Sequence, residues 1–268
     1  MHDFEEHVKK EYRDLFQAGV ALIGIAAKLL PAQTDDSLQR MIRWLTASIT
    51  NSDAALLLLC LNGHGADAVK IARGMFESLI TLKYLVLNPS ESRDFLDFDA
   101  VARYKRQQFY KSHYRKFYDT FPESKKSEVE QRFERVRKRF TEKDSKLRDR
   151  WSKHSIAEMA RRTGLGAMYE LFYRYASALH HVDPMGLGML IDGDALEVLP
   201  APTTAHVGIA LAIGGYILLE ALRDYGKLRG IDDEDALKHV EQLLGKSRLT
   251  SESDSSLSSL AHLIPARE

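Results

Sequence analysis

Residues 65–87 read GADAVKIARGMFESLITLKYLVL, and this stretch decides the fold. Ile71, Met75, Phe76 and Leu79 recur at intervals of three and four, the period of a helix with a buried face, and not at the interval of two that marks a strand. Pro89 then forbids continuation. Outward in both directions the same spacing persists, broken where Pro and Gly fall. It predicts helices over 3–30 (ended by Pro31), 34–61, 65–87, 90–120, 123–150, 155–162, 166–182, 203–229 and 232–245, an all-α multi-helix bundle. Ser155 with Glu158 forms a capping-box pattern at one start. Asp232-Asp233-Glu234 puts negative charge where a helix N-terminus favours it. The exception is 183–202, where Asp192-Gly193 between Met189-Leu190-Ile191 and Leu196-Glu197-Val198 reads as a short β-hairpin, at 189–198. The expected organisation is one helical domain over 1–246 carrying a basic helical arm at 101–162. A Ser-rich mobile tail follows over 247–268, in which Leu260 to Ile264 can dock as a short helix.

Composition narrows the classes. The chain has 268 residues, 44% apolar and 28% charged, with 38 basic against 38 acidic side chains. That is a globular balance and excludes a disordered or collagen-like chain. The single Cys60 excludes a disulfide framework or a cysteine-based metal knuckle. The charged opening, Met1 to Asp14, is no secretory signal, so a cytoplasmic protein is expected. Thr203 to Leu219 and Ala18 to Leu30 are apolar enough to raise a membrane span. They fall short of about 20 clean residues and read as core helices. No membrane association is expected.

Charge is segregated. Residues 101–162 hold 20 Lys and Arg against 9 Asp and Glu, a balance of +11, which leaves −11 elsewhere. Tyr104, Phe109, Tyr110, Tyr114, Phe117 and Tyr118 are interleaved with Lys105, Arg106, Lys111, Arg115 and Lys116. Such a pattern can track phosphates. The plainer reading is a solvated helical pair whose aromatics are mostly core contacts and whose basic face meets an acidic one.

The usual catalytic templates are missing. There is no phosphate loop, and Gly186-Leu187-Gly188 lacks a third glycine. There is no Gly-x-Ser-x-Gly, no His-Glu-x-x-His and no Glu-x-x-His. What stands out is Tyr169 to Pro184. On a helix Arg174, Ser177 and His181 fall on one face, with Tyr169, Tyr173 and Ser177 in a neighbouring row and His180 beside them. A guanidinium can hold a phosphate or an oxyanion, and an imidazole can move a proton near neutrality. The plainer reading is a histidine at a helix C-terminus, where a cation is favoured. Arg73 and Glu77 form a second set, four apart on a largely buried helix, as a structural brace or a substrate contact. Trp151-Ser152-Lys153-His154 is a third candidate, its indole an anchor and Lys153 a substrate contact.

These blocks together resemble a known family. Arg73-x-x-x-Glu77, then Trp151-Ser-x-x-Ser155-Ile-x-x-Met159-Ala160, then Tyr169-x-x-x-Tyr173-x-x-x-Ser177-x-x-x-His181 resemble a bacterial helical family catalogued as a domain of unknown function, family 5677, over roughly 40–230. More distantly the chain resembles the HEPN proteins, helical bundles that are often metal-independent ribonucleases of toxin and phage-defence systems. Their motif is an Arg, four to six residues, then His, and six residues separate Arg174 from His181. Tyr175 stands where such motifs frequently carry a polar residue.

The resemblance implies a homodimer in which two Arg174–His181 stripes face one RNA strand. His181 or His180 would shuttle the proton, Arg174 would stabilise the phosphoryl charge, and Ser177 or Tyr173 would orient the group. Arg73, Glu77, Lys105, Arg106, Lys111, Arg115 and Lys153 would contact substrate. No metal and no cofactor is implied, and a neutralising partner protein is compatible. Two other classes stay open. One is a non-catalytic interaction module whose polar stripe is a structural network or ligand pocket. The other is a metal hydrolase using His180, His181, Asp183 and Glu77.

Overall fold

Helix ends fall where the backbone leaves its i→i+4 ladder, and several differ from what spacing alone predicts. The computed structural model describes residues 2–34, 36–142, 146–181, 184, 191–192, 197–198, 202–231 and 234–250, most of them helical, and the chain is all-α. The helix expected over 3–30 is two, α1 (His2–Glu11) and α2 (Arg13–Leu29), broken at Tyr12 (φ −109, ψ 32). α3 (Ser37–Leu61) starts on Asp36, whose side chain accepts the Gln39 backbone N–H at 2.7 Å and satisfies one orphan donor. α4 (Gly65–Leu87) has the limits its periodicity predicts.

The stretch 90–120 is also divided. A 3₁₀ turn (Pro89–Glu91) leads into α5 (Ser92–His113), the chain bends at Tyr114 (φ −134, ψ 53), and α6 (Arg115–Asp119) follows. α7 (Glu123–Phe140) stops ten residues before the expected end at 150, because Thr141 is extended (φ −93, ψ 127). There the chain doubles back. The Arg148 N–H donates to Phe140 O at 3.0 Å and the Arg148 guanidinium to Arg139 O at 2.9 Å, covering carbonyls the helix end exposes.

Then come α8 (Ile156–Arg162), α9 (Gly166–Met168), a π-helical turn (Tyr169–Tyr173) and α10 (Arg174–His181). A two-residue antiparallel ladder joins β1 (Ile191–Asp192) to β2 (Glu197–Val198), with Ile191 opposite Val198, where the hairpin is expected. α11 (Val207–Arg229) and α12 (Glu234–Thr250) complete the described chain. The serine-rich tail beyond Thr250, including Leu260 to Ile264, and Asp232-Asp233 lie outside the described residues.

The chain folds as two compact units, residues 1–87 with 156–268, and residues 88–155. The basic segment 101–162 maps onto the second unit, except that 156–162 is α8 of the first.

In the first unit α11 is the central helix: 18 of its 23 residues are buried, so it is enclosed on all sides. α2, α3 and α4 pack around it and α12 closes over α2 and α11. Leu22, Met41, Ile42, Ile49, Leu56, Met75, Phe76, Tyr84, Phe172 and Tyr225 are among the largest enclosed side chains. Each such apolar side chain contributes about 1.5–3 kcal/mol by leaving water. Gly214 lets α3 approach, since a Cβ there would lie 2.8 Å from Asp53 Oδ1 and 2.9 Å from Leu56. Ions meet in the same region as matched sets, with Glu220 and Arg223 buried among them. Lys83 bridges Glu220 and Asp224 at 2.8 and 2.9 Å, and Arg223 grips Glu241 with two hydrogen bonds at 3.1 and 2.6 Å. Burial pulls the Lys83 amine down, but Asp224 and Glu220 outweigh it and hold it above its ordinary value. By length and composition α3 is apolar enough to cross a membrane; it nevertheless packs against α4 and α11 and buries Asp53.

The second unit is an α5–α7 pair around Ala100, Val101, Phe133, Val136 and Phe140, with Tyr104 stacked on Phe133 at 3.8 Å. Asp94 and Asp97 hold Arg139, and Asp99 holds Arg103 and Arg132, so much of the basic charge between these helices is internally neutralised. Trp151 packs edge-on against Phe95 at 5.2 Å.

Candidate functional site

α10 lies against α4, and a polar cluster joins them. From α4, Arg73 and Glu77 are one helical turn apart and pair at 3.1 Å. From the other side Tyr173 and Ser177 meet them. Arg73 Nε donates to Ser177 Oγ at 2.9 Å and Arg73 Nη2 to Tyr173 Oη at 2.8 Å. Tyr173 donates its own hydrogen to Glu77 Oε1 at 2.6 Å. The Arg73 guanidinium also lies over the Tyr173 ring, 4.7 Å from its centroid, and Tyr169 stacks with that ring at 4.7 Å. Phe76 and Phe172 meet edge-to-face at 5.9 Å beneath.

The cluster's chemistry follows from those contacts. Burial, then the hydrogen bond to Glu77 and that carboxylate's charge, push the Tyr173 hydroxyl up to about 12. At neutral pH it is therefore a hydrogen-bond donor and no base. Arg73 spends its donors on Ser177, Tyr173 and Glu77, which makes it a clamp between helices.

The expected single stripe along α10 is split, and helical geometry explains why. At 100° per residue, Ser177 stands about 60° round the helix from Arg174, while His181 stands about 20° from it. That difference turns Ser177 into the α4 interface and leaves Arg174 and His181 exposed; His180, exposed as well, falls about 60° beyond Ser177 on its far side. The side chain of Arg174 is 68% exposed and pairs with Glu170 at 2.6 Å. His180 and His181 lie ring to ring at 5.0 Å. The π turn just before α10, closed by Arg174 N–H on Tyr169 O, is a feature spacing does not signal; such turns cost regular hydrogen bonding and are frequent at functional sites.

Tyr175 has its own partner. Its hydroxyl is 2.6 Å from His206 Nδ1, and His206 is the one non-glycine residue with positive φ (64°) among the described residues. That strained residue starts α11 and is held against Gly65, where a Cβ would meet Ala205 O at 2.2 Å and Val207 N at 2.6 Å. Sequence reading missed His206, and nothing short of the fold marks it.

The remaining predicted contacts scatter. Lys105 is turned inward, donating to Leu147 O, Arg148 O and Asp149 at 3.3, 2.8 and 2.6 Å. Arg115 pairs with Asp119 at 3.0 Å, and Arg106, Lys111 and Lys153 are exposed. Asp183, needed for the metal-hydrolase alternative, lies outside the described residues, and among those described no three His, Cys, Asp or Glu side chains gather as a metal site.

The helices that build this cluster, and the cluster itself, coincide with a family model. The model described as "Family of unknown function (DUF5677)" matches residues 40–197, more than half of the chain, and the protein belongs to that family. The match runs from within α3 to the first residue of β2 and so contains both Arg73–Glu77 and Tyr173–Ser177. No curated protein and no solved structure matches the chain.

Proposed function

We propose that this chain is a HEPN-like, RNA-acting cytoplasmic protein, a metal-independent endoribonuclease whose reactive groups are Arg174 and His181, with His180 beside them. The observation that carries this reading is the division of labour along α10. One face is clamped by Arg73, while the neighbouring face presents the Arg174 guanidinium and the His181 imidazole to solvent, with His180 also exposed at the helix end. Arg174 and His181 are seven residues apart, about 10 Å along the axis. That separation is long for one phosphate and favours a site made by two copies, the guanidinium of one beside the imidazole of the other. In the step, a ribose 2′-oxygen bonds to the adjacent phosphorus and the P–O5′ bond breaks. His181 takes the 2′-hydroxyl proton, the leaving O5′ is protonated from an imidazolium, and Arg174 holds the phosphoryl oxygens. The products are a 2′,3′-cyclic phosphate and a 5′-hydroxyl. A toxin or phage-defence setting with a neutralising partner follows from the HEPN resemblance.

The test is RNA cleavage in EDTA by the wild type, Arg174→Ala and His181→Ala at matched thermal stability. Loss in both variants with an active wild type is the expected result; full activity of His181→Ala would remove the imidazole from the mechanism.

A second reading is favoured by a different observation. The Arg73–Glu77–Tyr173–Ser177 cluster satisfies itself, as a structural network does. In a non-catalytic interaction module this cluster sets helix register and the exposed end of α10 contacts a partner. Absence of cleavage by all three proteins favours this reading.

A further inference from the structure

The second unit carries a surface that the α10 chemistry does not use. Residues 109–121 read FYKSHYRKFYDTF: six of 13 are aromatic and none is aliphatic. Tyr118 is buried, but Phe109, Tyr114 and Phe117 are 49%, 56% and 51% exposed, and Phe121 is exposed beside them. Exposed large rings in this number are costly unless something covers them. They form one cluster. Phe109 contacts His113 at 4.7 Å and Tyr114 at 5.6 Å, and Tyr110 meets Phe117 edge-on at 5.2 Å. Phe117 in turn meets Phe121 at 5.0 Å. The bend at Tyr114 brings these rings together by turning α6 back so that Phe117 reaches Tyr110.

Cations are interleaved with the rings along the chain. Arg106, Phe109, Tyr110 and His113 share one face of α5 at spacing i, i+3, i+4, i+7. Lys111 and Lys116 are exposed, and with Arg106 they have no ion-pair partner among the described residues, unlike the inward Lys105 and the Asp119-paired Arg115.

The geometry points to a base-stacking platform for single-stranded RNA on this surface, with Phe109, Tyr114, Phe117 and Phe121 offering ring faces and Arg106, Lys111 and Lys116 neutralising phosphates. Two features select this occupant over an anionic membrane. Surface-lying membrane segments carry Leu with their aromatics, and this stretch has no aliphatic side chain. Nucleobases, in contrast, reward ring faces specifically, and phosphodiesters match the unpaired cations. This surface extends the RNA reading but stands on its own observations, and its test reads binding, not cutting.

The measurement is anisotropy of a labelled 2′-O-methyl oligouridine in EDTA with the full chain. That probe has no 2′-hydroxyl to act as nucleophile, so the result is independent of whether α10 cleaves. The wild type should bind, with affinity falling as salt rises. Phe109→Ala/Phe117→Ala should weaken binding by about tenfold per ring. Phe109→Leu/Phe117→Leu keeps apolar bulk without a π face and should bind as poorly as the alanine pair, while tryptophan at both positions should restore it. Lys111→Gln/Lys116→Gln should lower the log–log salt slope by about 0.7 for each phosphate contact removed. Full binding by the leucine variant overturns the platform, as does no oligonucleotide binding by the wild type, with or without capture on phosphatidylserine vesicles.

Discussion

Arg73 of α4 and Tyr173 of the π turn that leads into α10 meet twice: the guanidinium donates to the phenolic oxygen at 2.8 Å while lying 4.7 Å from the centre of the same ring. One contact fixes the end of the tyrosine and the other its face, so α10 is held in rotation as well as in position. Tyr173→Phe keeps the ring and removes both hydroxyl bonds, and should lower unfolding free energy by about 1–2 kcal/mol in urea melts. Arg73→Ala should cost more, because Tyr173, Ser177 and Glu77 all lose a partner. A double-mutant cycle on Arg73 and Tyr173 should give a coupling of about 1 kcal/mol; additive losses would mean the two do not act as a unit.

The two-copy site makes a sharper prediction than single substitutions. Arg174→Ala and His181→Ala, each inactive alone, should regain RNA cleavage when mixed and allowed to exchange subunits, since a mixed pair holds one intact guanidinium and one intact imidazole. Failure of mixing to restore any cleavage would place both groups of a working site on one copy.

Asp53 gives a pH signature. It is 1% exposed, neither oxygen has a hydrogen-bond partner among the described residues, and burial raises its carboxyl from 3.8 to about 7. A raised value means the folded state prefers the neutral acid. Stability from this group is therefore complete below pH 4 and is lost as pH climbs toward 7, by up to about 4 kcal/mol at 1.36 per unit. Asp53→Asn should flatten that loss and be the more stable protein at pH 8. Parallel urea-midpoint profiles for the two proteins between pH 4 and 8 would show that Asp53 is ionised and solvated in the fold.

Arg223 is 4% exposed and forks onto Glu241 while reaching Glu220 at 3.4 Å. Arg223→Ala leaves buried Glu220 with Lys83 as its remaining partner and frees the half-exposed Glu241, and should cost about 1–3 kcal/mol in chemical denaturation. Arg223→Lys keeps the charge but not the planar fork, and should recover only part of it.

Gly65 has backbone on the far side of its missing Cβ, 2.2 Å from Ala205 O. Neither partner is a flexible side chain, so Gly65→Ala must displace the loop that carries His206. A loss of about 1–3 kcal/mol should register in the thermal midpoint, and the Tyr175–His206 hydrogen bond should loosen with it.

Much of this protein is legible in one dimension because helices are local objects. The period of Ile71, Met75, Phe76 and Leu79, and Pro89 after it, determine α4 without reference to any distant residue. The same local reasoning places α3, α8 and the Ile191–Val198 ladder, and singles out Arg73 with Glu77 and, separately, Tyr173 and Ser177 with Arg174 and His181. Breaks at Tyr12, Tyr114 and Thr141 carry no proline or glycine, so spacing runs straight through them. Tertiary structure alone decided the pairings. Residues 73 and 177 are 104 positions apart, and whether Ser177 belongs with Arg174 or with Arg73 depends on a rotation of about 60°, set by which side of α10 is pressed against α4. Likewise the charges of 101–162 could be counted in sequence, but only packing turned Lys105 inward and left Phe109 and Phe117 facing water. Side-chain direction is fixed by what each helix packs against, and that is a property of the assembled fold.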